Sequence, residues 1–136
     1  MTTPRIAFDA PVGEYLPDAC NIGPAEMATR RRAGYLGLGA AVVLALVLLA
    51  LDAPAATRWL VAMPLGGGAV GLLQARFRFC AAYGIAGLRN FGPLGGAERV
   101  ADGAARRADR ARAAWILLAG AAIGLGGALA FVLLPL

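Results

Sequence analysis

Three apolar runs, each long enough to cross a hydrocarbon layer, constrain what this chain can fold into. The middle one opens at Trp59 as WLVAMPLGGGAVGLLQARFRFCAAY and organises the rest. It begins as a span, carries Pro64 and then Gly66, Gly67 and Gly68 at its middle, and meets Arg76 and Arg78 where it would leave the lipid. The run at 33–51 is 19 residues long, or about 28 Å of helix at 1.5 Å per residue. A third run covers 113–134. Residues 33–51, 59–75 and 113–136 contain no acidic or basic side chain. The expected fold is therefore an all-α integral membrane protein with three transmembrane helices.

Composition agrees with lipid as the main solvent: 60% of the 136 residues are hydrophobic and only 15% are charged. All 13 basic residues are arginine, which with the many Ala, Gly and Leu reads as the codon bias of a GC-rich genome. Histidine is absent. That removes the usual general base and the usual ligand for zinc, haem iron or chlorophyll magnesium, so neither an enzyme with acid–base chemistry nor a bound cofactor is expected.

The net charge of +5 is concentrated in one segment. Residues 1–32 sum to zero, and Asp52 cancels Arg58. Residues 76–112 hold eight arginines against Glu98, Asp102 and Asp109. A basic segment between two spans predicts a cytoplasmic loop near anionic headgroups. With the N-terminus inside, twelve arginines are cytoplasmic and only Arg58 is outside. The C-terminus is then outside, and the expected location is a bacterial inner membrane. Nucleic acid is not an expected partner, because the segment is tethered at both ends and has few stacking aromatics beyond Phe91.

Taken in order, residues 1–32 hold four prolines and no periodicity, which predicts an irregular cytoplasmic arm. The first transmembrane helix is expected at 33–51, with Arg30, Arg31 and Arg32 at its headgroup end. Pro54 marks a tight turn. The second helix is expected at 56–75, with Arg58 snorkelling, Trp59 in the interfacial belt, and a kink at Pro64, Gly66, Gly67 and Gly68. Residues 76–112 form a basic linker, and a helical wheel places Phe77, Cys80, Gly84, Leu88 and Phe91 on one side of a surface-lying amphipathic segment. A break follows at Phe91-Gly92-Pro93. A helix from about residue 97 is expected to run into the third span at 113–134, with Trp115 at the interface. Ala101, Ala104, Ala108 and Ala111 make a small-residue stripe on it, and Asp102 and Arg106 are spaced as an i,i+4 pair.

Gly67-x-x-x-Gly71 and Gly120-x-x-x-Gly124 are small-xxx-small patterns suited to close helix packing, either within the chain or against a partner. Cys20 and Cys80 fall near the same ends of the first two helices. They are candidates for a thiol pair or a soft-metal site, or else small buried residues. The proline–glycine stretch reads as a packing kink, or as the broken helix of a transporter.

Cys20-Asn21-Ile22-Gly23, the three arginines, Gly34 and Phe79-Cys80-x-x-Tyr83 together resemble the YgaP-like inner-membrane domain over about residues 20–90. The resemblance implies a helical hairpin with a poorly defined role, sometimes fused to rhodanese domains. Here Ala81 stands where the family's proline follows the cysteine, residues 91–136 add a third span, and no rhodanese domain is present. These readings converge on a small membrane protein acting by helix association, as an accessory subunit or a homo-oligomer among anionic lipids. Alternatives are a small oligomeric transporter or channel, and a thiol redox or sulfur-handling protein.

Overall fold

The computed structural model describes residues 15–135. The chain is mostly helical. Helix α1 covers Pro24–Ala50, a 3-10 segment at Ala55–Val61 leads into α2 at Ala62–Phe77, α3 is Ala81–Ala86, and α4 is Gly103–Leu133. Between α3 and α4, β1 (Leu88–Arg89) and β2 (Glu98–Arg99) pair antiparallel. Three helical segments, Pro24–Ala50, Ala55–Phe77 and Gly103–Leu133, are long and apolar enough to cross a membrane. Large apolar side chains such as Leu36, Val43, Met63 and Leu118 lie on the outside of the bundle, which is the surface of a multi-pass membrane protein.

Helix α1 starts at Pro24 and not at residue 33, so residues 24–32 of the expected irregular arm are helical; residues 1–14 of that arm lie outside the described residues. Proline at the first helical position has no amide to leave unsatisfied, and Glu26 in the first turn complements the helix dipole. The helix ends in a Schellman arrangement. Asp52 adopts φ 51, its N–H donates to Leu49 O, and Ala53 N–H donates to Leu48 O.

The second pass continues as an unbroken α-helix through Gly66, Gly67 and Gly68. The 3-10 segment hands over to a regular α-helix at Ala62, so Pro64 sits in the first turn, where its missing N–H costs no hydrogen bond. Arg58 does not snorkel. It is buried, donates from Nη1 to Phe131 O at 3.1 Å and Leu134 O at 3.0 Å, and lies over the Phe131 ring. The orphan carbonyls at the end of α4 are what draw it inward.

Helix α2 is the shared axis, with α1 and α4 packed on its two sides and both antiparallel to it. On the α1 side, a Cβ at Gly68 would lie 2.8 Å from Leu38 N, and one at Gly71 would lie 2.8 Å from Gly34 Cα. On the α4 side, a Cβ at Gly124 would lie 2.6 Å from Ala62 O and 2.8 Å from Gly66 Cα. Gly66, Gly68, Gly71, Gly120 and Gly124 are all buried, whereas Gly67 faces outward with nothing within 4 Å. The expected Gly67–Gly71 face is thus two faces, offset by one residue.

The expected linker helix is also divided. Arg78 in the left-handed conformation (φ 54) ends α2, and Cys80 opens the six-residue α3. Phe79, Ala81, Ala113 and Ile116 form a small core where α2, α3 and α4 meet. Helix α4 begins at Gly103, because residues 98–99 are engaged as β2 and Asp102 caps the helix by accepting from Ala104 N and Ala105 N. Arg106 donates to Val100 O and Ala101 O, so Asp102 and Arg106 each serve backbone groups and form no i,i+4 pair. The inner face of α4 is Ala105, Asp109, Ala113, Ile116, Gly120, Gly124 and Ala128; Ala104 and Ala111 of the expected alanine stripe are exposed.

Side chains that intrude on a backbone seam push helices apart and forfeit close contacts. Gly68→Ala and Gly124→Ala should each lower unfolding stability in detergent by about 1–3 kcal/mol. Gly67→Ala, in open space, should leave it unchanged or slightly raised. Equal effects at all three positions would show that the seams do not hold the helices.

Candidate functional site

Apart from Arg58, the buried polar groups gather at the basic end of the bundle, where residues 20–30, the end of α2, α3 and β1 meet. Asn21 is fully buried and pairs reciprocally with the start of α3: its Nδ2 donates to Cys80 O at 3.1 Å, and its Oδ1 accepts from Cys80 N at 2.7 Å. Its backbone is also engaged, with Asn21 N–H donating to Arg78 O and Asn21 O accepting from Asn90 N. Ile22 bridges in parallel to Asn90, and Gly23 N–H donates to Asn90 O. Gly23 is required here, because a Cβ would lie 2.9 Å from Phe91 O.

Glu26 collects the side chains. It is 2% exposed and accepts from Tyr83 Oη at 2.8 Å and Asn90 Nδ2 at 3.0 Å, while its second oxygen lies 3.2 Å from an Arg30 nitrogen. The same arginine nitrogen is 3.2 Å from Cys80 Sγ, and the guanidinium lies 5.9 Å from the Tyr83 ring centroid. Gln74 closes the set: its Oε1 accepts from Ala81 N at 2.8 Å, and its carbonyl accepts from Arg78 N and Phe79 N. Burial, and then the hydrogen bond to Glu26, push the Tyr83 phenol above its ordinary pKa.

A second cluster lies alongside. Asp109, fully buried on α4, accepts from Tyr15 Oη at 2.7 Å and Asp18 N at 2.9 Å. Asp18 takes φ 64 in a turn that follows Pro17, which aims its amide at Asp109. Burial, followed by the bond to Asp109, also raises the Tyr15 phenol, against the opposing pull of Arg89, which stacks on its ring at 5.2 Å. Both clusters tie the segment before α1 to elements far along the chain.

Cys20 and Cys80 are not joined in a disulfide and are 0% and 1% exposed, so both are enclosed by this packing. Among the described residues no three of His, Cys, Asp and Glu gather as a metal site. Of the expected headgroup arginines, Arg31, Arg32 and Arg76 are exposed, Arg78 is the left-handed residue ending α2, and Arg30 belongs to the Glu26 network. Trp59 and Trp115 are each about half exposed. Sequence reading had no signal for Asn21, Glu26, Asn90 and Asp109 as a set. Asn21 and Asp109 entered it only singly, in a short motif and in a charge count, and Glu26 and Asn90 carried no pattern at all.

Asn21, Gly23, Arg30, Cys80 and Tyr83 all lie in this network, and Gly34 lies at the α1 end of the glycine seam. Comparison with protein-family models, with curated proteins and with solved structures finds no match to the chain.

Removing the Glu26 carboxylate leaves Asn90 and Tyr83 without their acceptor and Arg30 without its counter-charge. Glu26→Ala should cost about 2–4 kcal/mol in unfolding stability, whereas Cys80→Ala should cost about 1 kcal/mol. Both phenols hold their protons more tightly folded than unfolded. Their contribution is therefore whole below pH about 10, the unfolded value, and falls as pH rises beyond it. Unfolding midpoints measured from pH 8 to 11 should drop above about 10, and less steeply in Tyr83→Phe.

Proposed function

We propose that this chain is a small inner-membrane protein that works by helix association, as an accessory subunit or a homo-oligomer, with its N-terminus and basic end in the cytoplasm. The observation that carries this reading is the use of glycine on α2. Its two flanking glycine faces are filled by α1 and α4 of the same chain, while Gly67 remains open one turn from the exposed Met63. A notch in an apolar surface suits the backbone of a further helix, since packing in lipid depends on close approach. The resemblance to the YgaP-like domain is compatible with this reading and adds no activity.

The transporter alternative draws less support. α2 is a continuous α-helix through Gly66, Gly67 and Gly68, the runs 33–51, 59–75 and 113–134 hold no ionised side chain, and Arg58 beside them is spent on the end of α4. One contact favours the thiol reading, the Arg30 nitrogen 3.2 Å from Cys80 Sγ, although the sulfur is enclosed.

Gly67→Ile should release the chain from its oligomer or complex, read by size in gentle detergent, without loss of membrane insertion or folding. The native chain alone in liposomes should pass no ions or small solutes. A selective flux abolished by substitution at Gly66 or Gly68 would overturn this reading in favour of transport. Orientation is tested separately. Because both native thiols are enclosed, the informative positions are exposed ones: Ala55→Cys should react with an impermeant thiol reagent on intact cells, and Ala104→Cys only after permeabilisation. The reverse pattern would invert the topology.

A further inference from the structure

Arg112 is held in an aromatic corner at the level of Trp115, three residues along α4. Its guanidinium carbon lies 5.0 Å from the Phe77 ring centroid and 5.2 Å from that of Trp115. The two rings meet edge to face, with centroids 5.6 Å apart and planes at 80°. The end of α2 and the start of the third apolar run therefore fix this cation in place. Its Nε is buried and has no acceptor among the described residues. The ion pairs among the described residues are Arg30–Glu26 and Arg89–Glu98, and neither involves Arg112. Asp109, one turn earlier, is already engaged by Tyr15 and Asp18 N. Asp18 is near enough to feel the arginine's charge but lies beyond ion-pairing distance.

We infer that Arg112, clamped by Phe77 and Trp115, binds the phosphate of an anionic phospholipid headgroup. Three features favour that ligand. Arg112 is half-buried and not enclosed, and the planar fork of donors on a guanidinium matches phosphate oxygens. Trp115 is half exposed and sits where the charge-free part of α4 begins, which is the headgroup depth for an interfacial tryptophan. Phe77 is the last residue of α2, so the same corner marks the boundary on both helices. Stacking on two rings orients the charge without neutralising it, which leaves the donor edge for an incoming anion. A free phosphate shares this chemistry but gains nothing from the apolar surface below the corner. The inference rests on the membrane-spanning reading and is independent of any association through Gly67.

The test uses the full chain in nanodiscs of phosphatidylcholine with a minor fraction of phosphatidylglycerol, and reads retained lipid by native mass spectrometry. Wild type should retain phosphatidylglycerol preferentially. Arg112→Gln should reduce that preference about fivefold, the scale of one basic residue at an anionic surface, while Arg107→Gln on the exposed stalk should not. A second readout leaves Arg112 intact. In Trp59→Phe, where Trp115 is the remaining tryptophan, brominated phosphatidylglycerol should quench fluorescence more than brominated phosphatidylcholine at equal fraction. Unchanged preference in Arg112→Gln, or equal quenching by the two lipids, would overturn the site. Displacement of the lipid by inorganic phosphate would overturn the lipid assignment and make it a free-anion site.

Discussion

Lipid offers no hydrophobic drive to bring one apolar helix against another, so helices in this chain can adhere only by close backbone contact. Helix α2 meets that constraint on two sides at once. Gly68 and Gly71 admit α1, and Gly66 admits α4 over Gly120 and Gly124. Because successive residues along a helix face different directions, one glycine triplet serves two partners and leaves its middle member unused. The 3-10 entry to α2 also follows from the constraint. With about 2.0 Å of rise per residue in place of 1.5 Å, seven residues lengthen the pass before the glycines take their register.

Backbone contact along glycine is smooth and fixes register weakly, and polar groups at the two ends supply what the seams lack. At one end Arg58 is bound to the last carbonyls of α4. At the basic end Asn21, Glu26, Gln74 and Asn90 hold four separate segments through bonds to backbone as well as side chains. Buried polar groups cost stability when any member lacks a partner, so such a network tolerates few alternative arrangements. The Cys80 thiol is enclosed as a consequence, since its backbone is the point at which Asn21 grips α3.

The parts of this architecture that depend on long periodic signals were legible in the sequence. Three charge-free apolar runs announced three helices able to cross a membrane, and the glycine spacings announced close packing. Which glycine faced which helix was not legible, because Gly66, Gly67 and Gly68 differ only in direction around α2. Helix α1 began nine residues early because Pro24 and Glu26 suit a first turn, a signal that the lack of apolar periodicity masked. Arg58 read as a snorkelling arginine, since nothing local reveals that the end of α4 returns beside it. The polar network was the least legible part. Asn21 and Asn90 lie far apart in sequence, and single asparagines carry no pattern. Glu26 and Asp109 likewise pair with residues 57 and 94 positions away, which no local spacing announces.

The central claim is that one chain completes this fold by itself and that the basic end locks it. The most direct measurement is amide hydrogen exchange in nanodiscs holding a single copy. The Cys80 and Ala81 amides donate to side chains of Asn21 and Gln74 and not to a helix ladder. The account predicts that they exchange as slowly as the middle of α2, and that Asn21→Ala releases Cys80 together with Gly23 and Asn90. Rapid exchange at Cys80 and Ala81 beside a protected α2 would contradict it, because the network would then not form in the isolated chain.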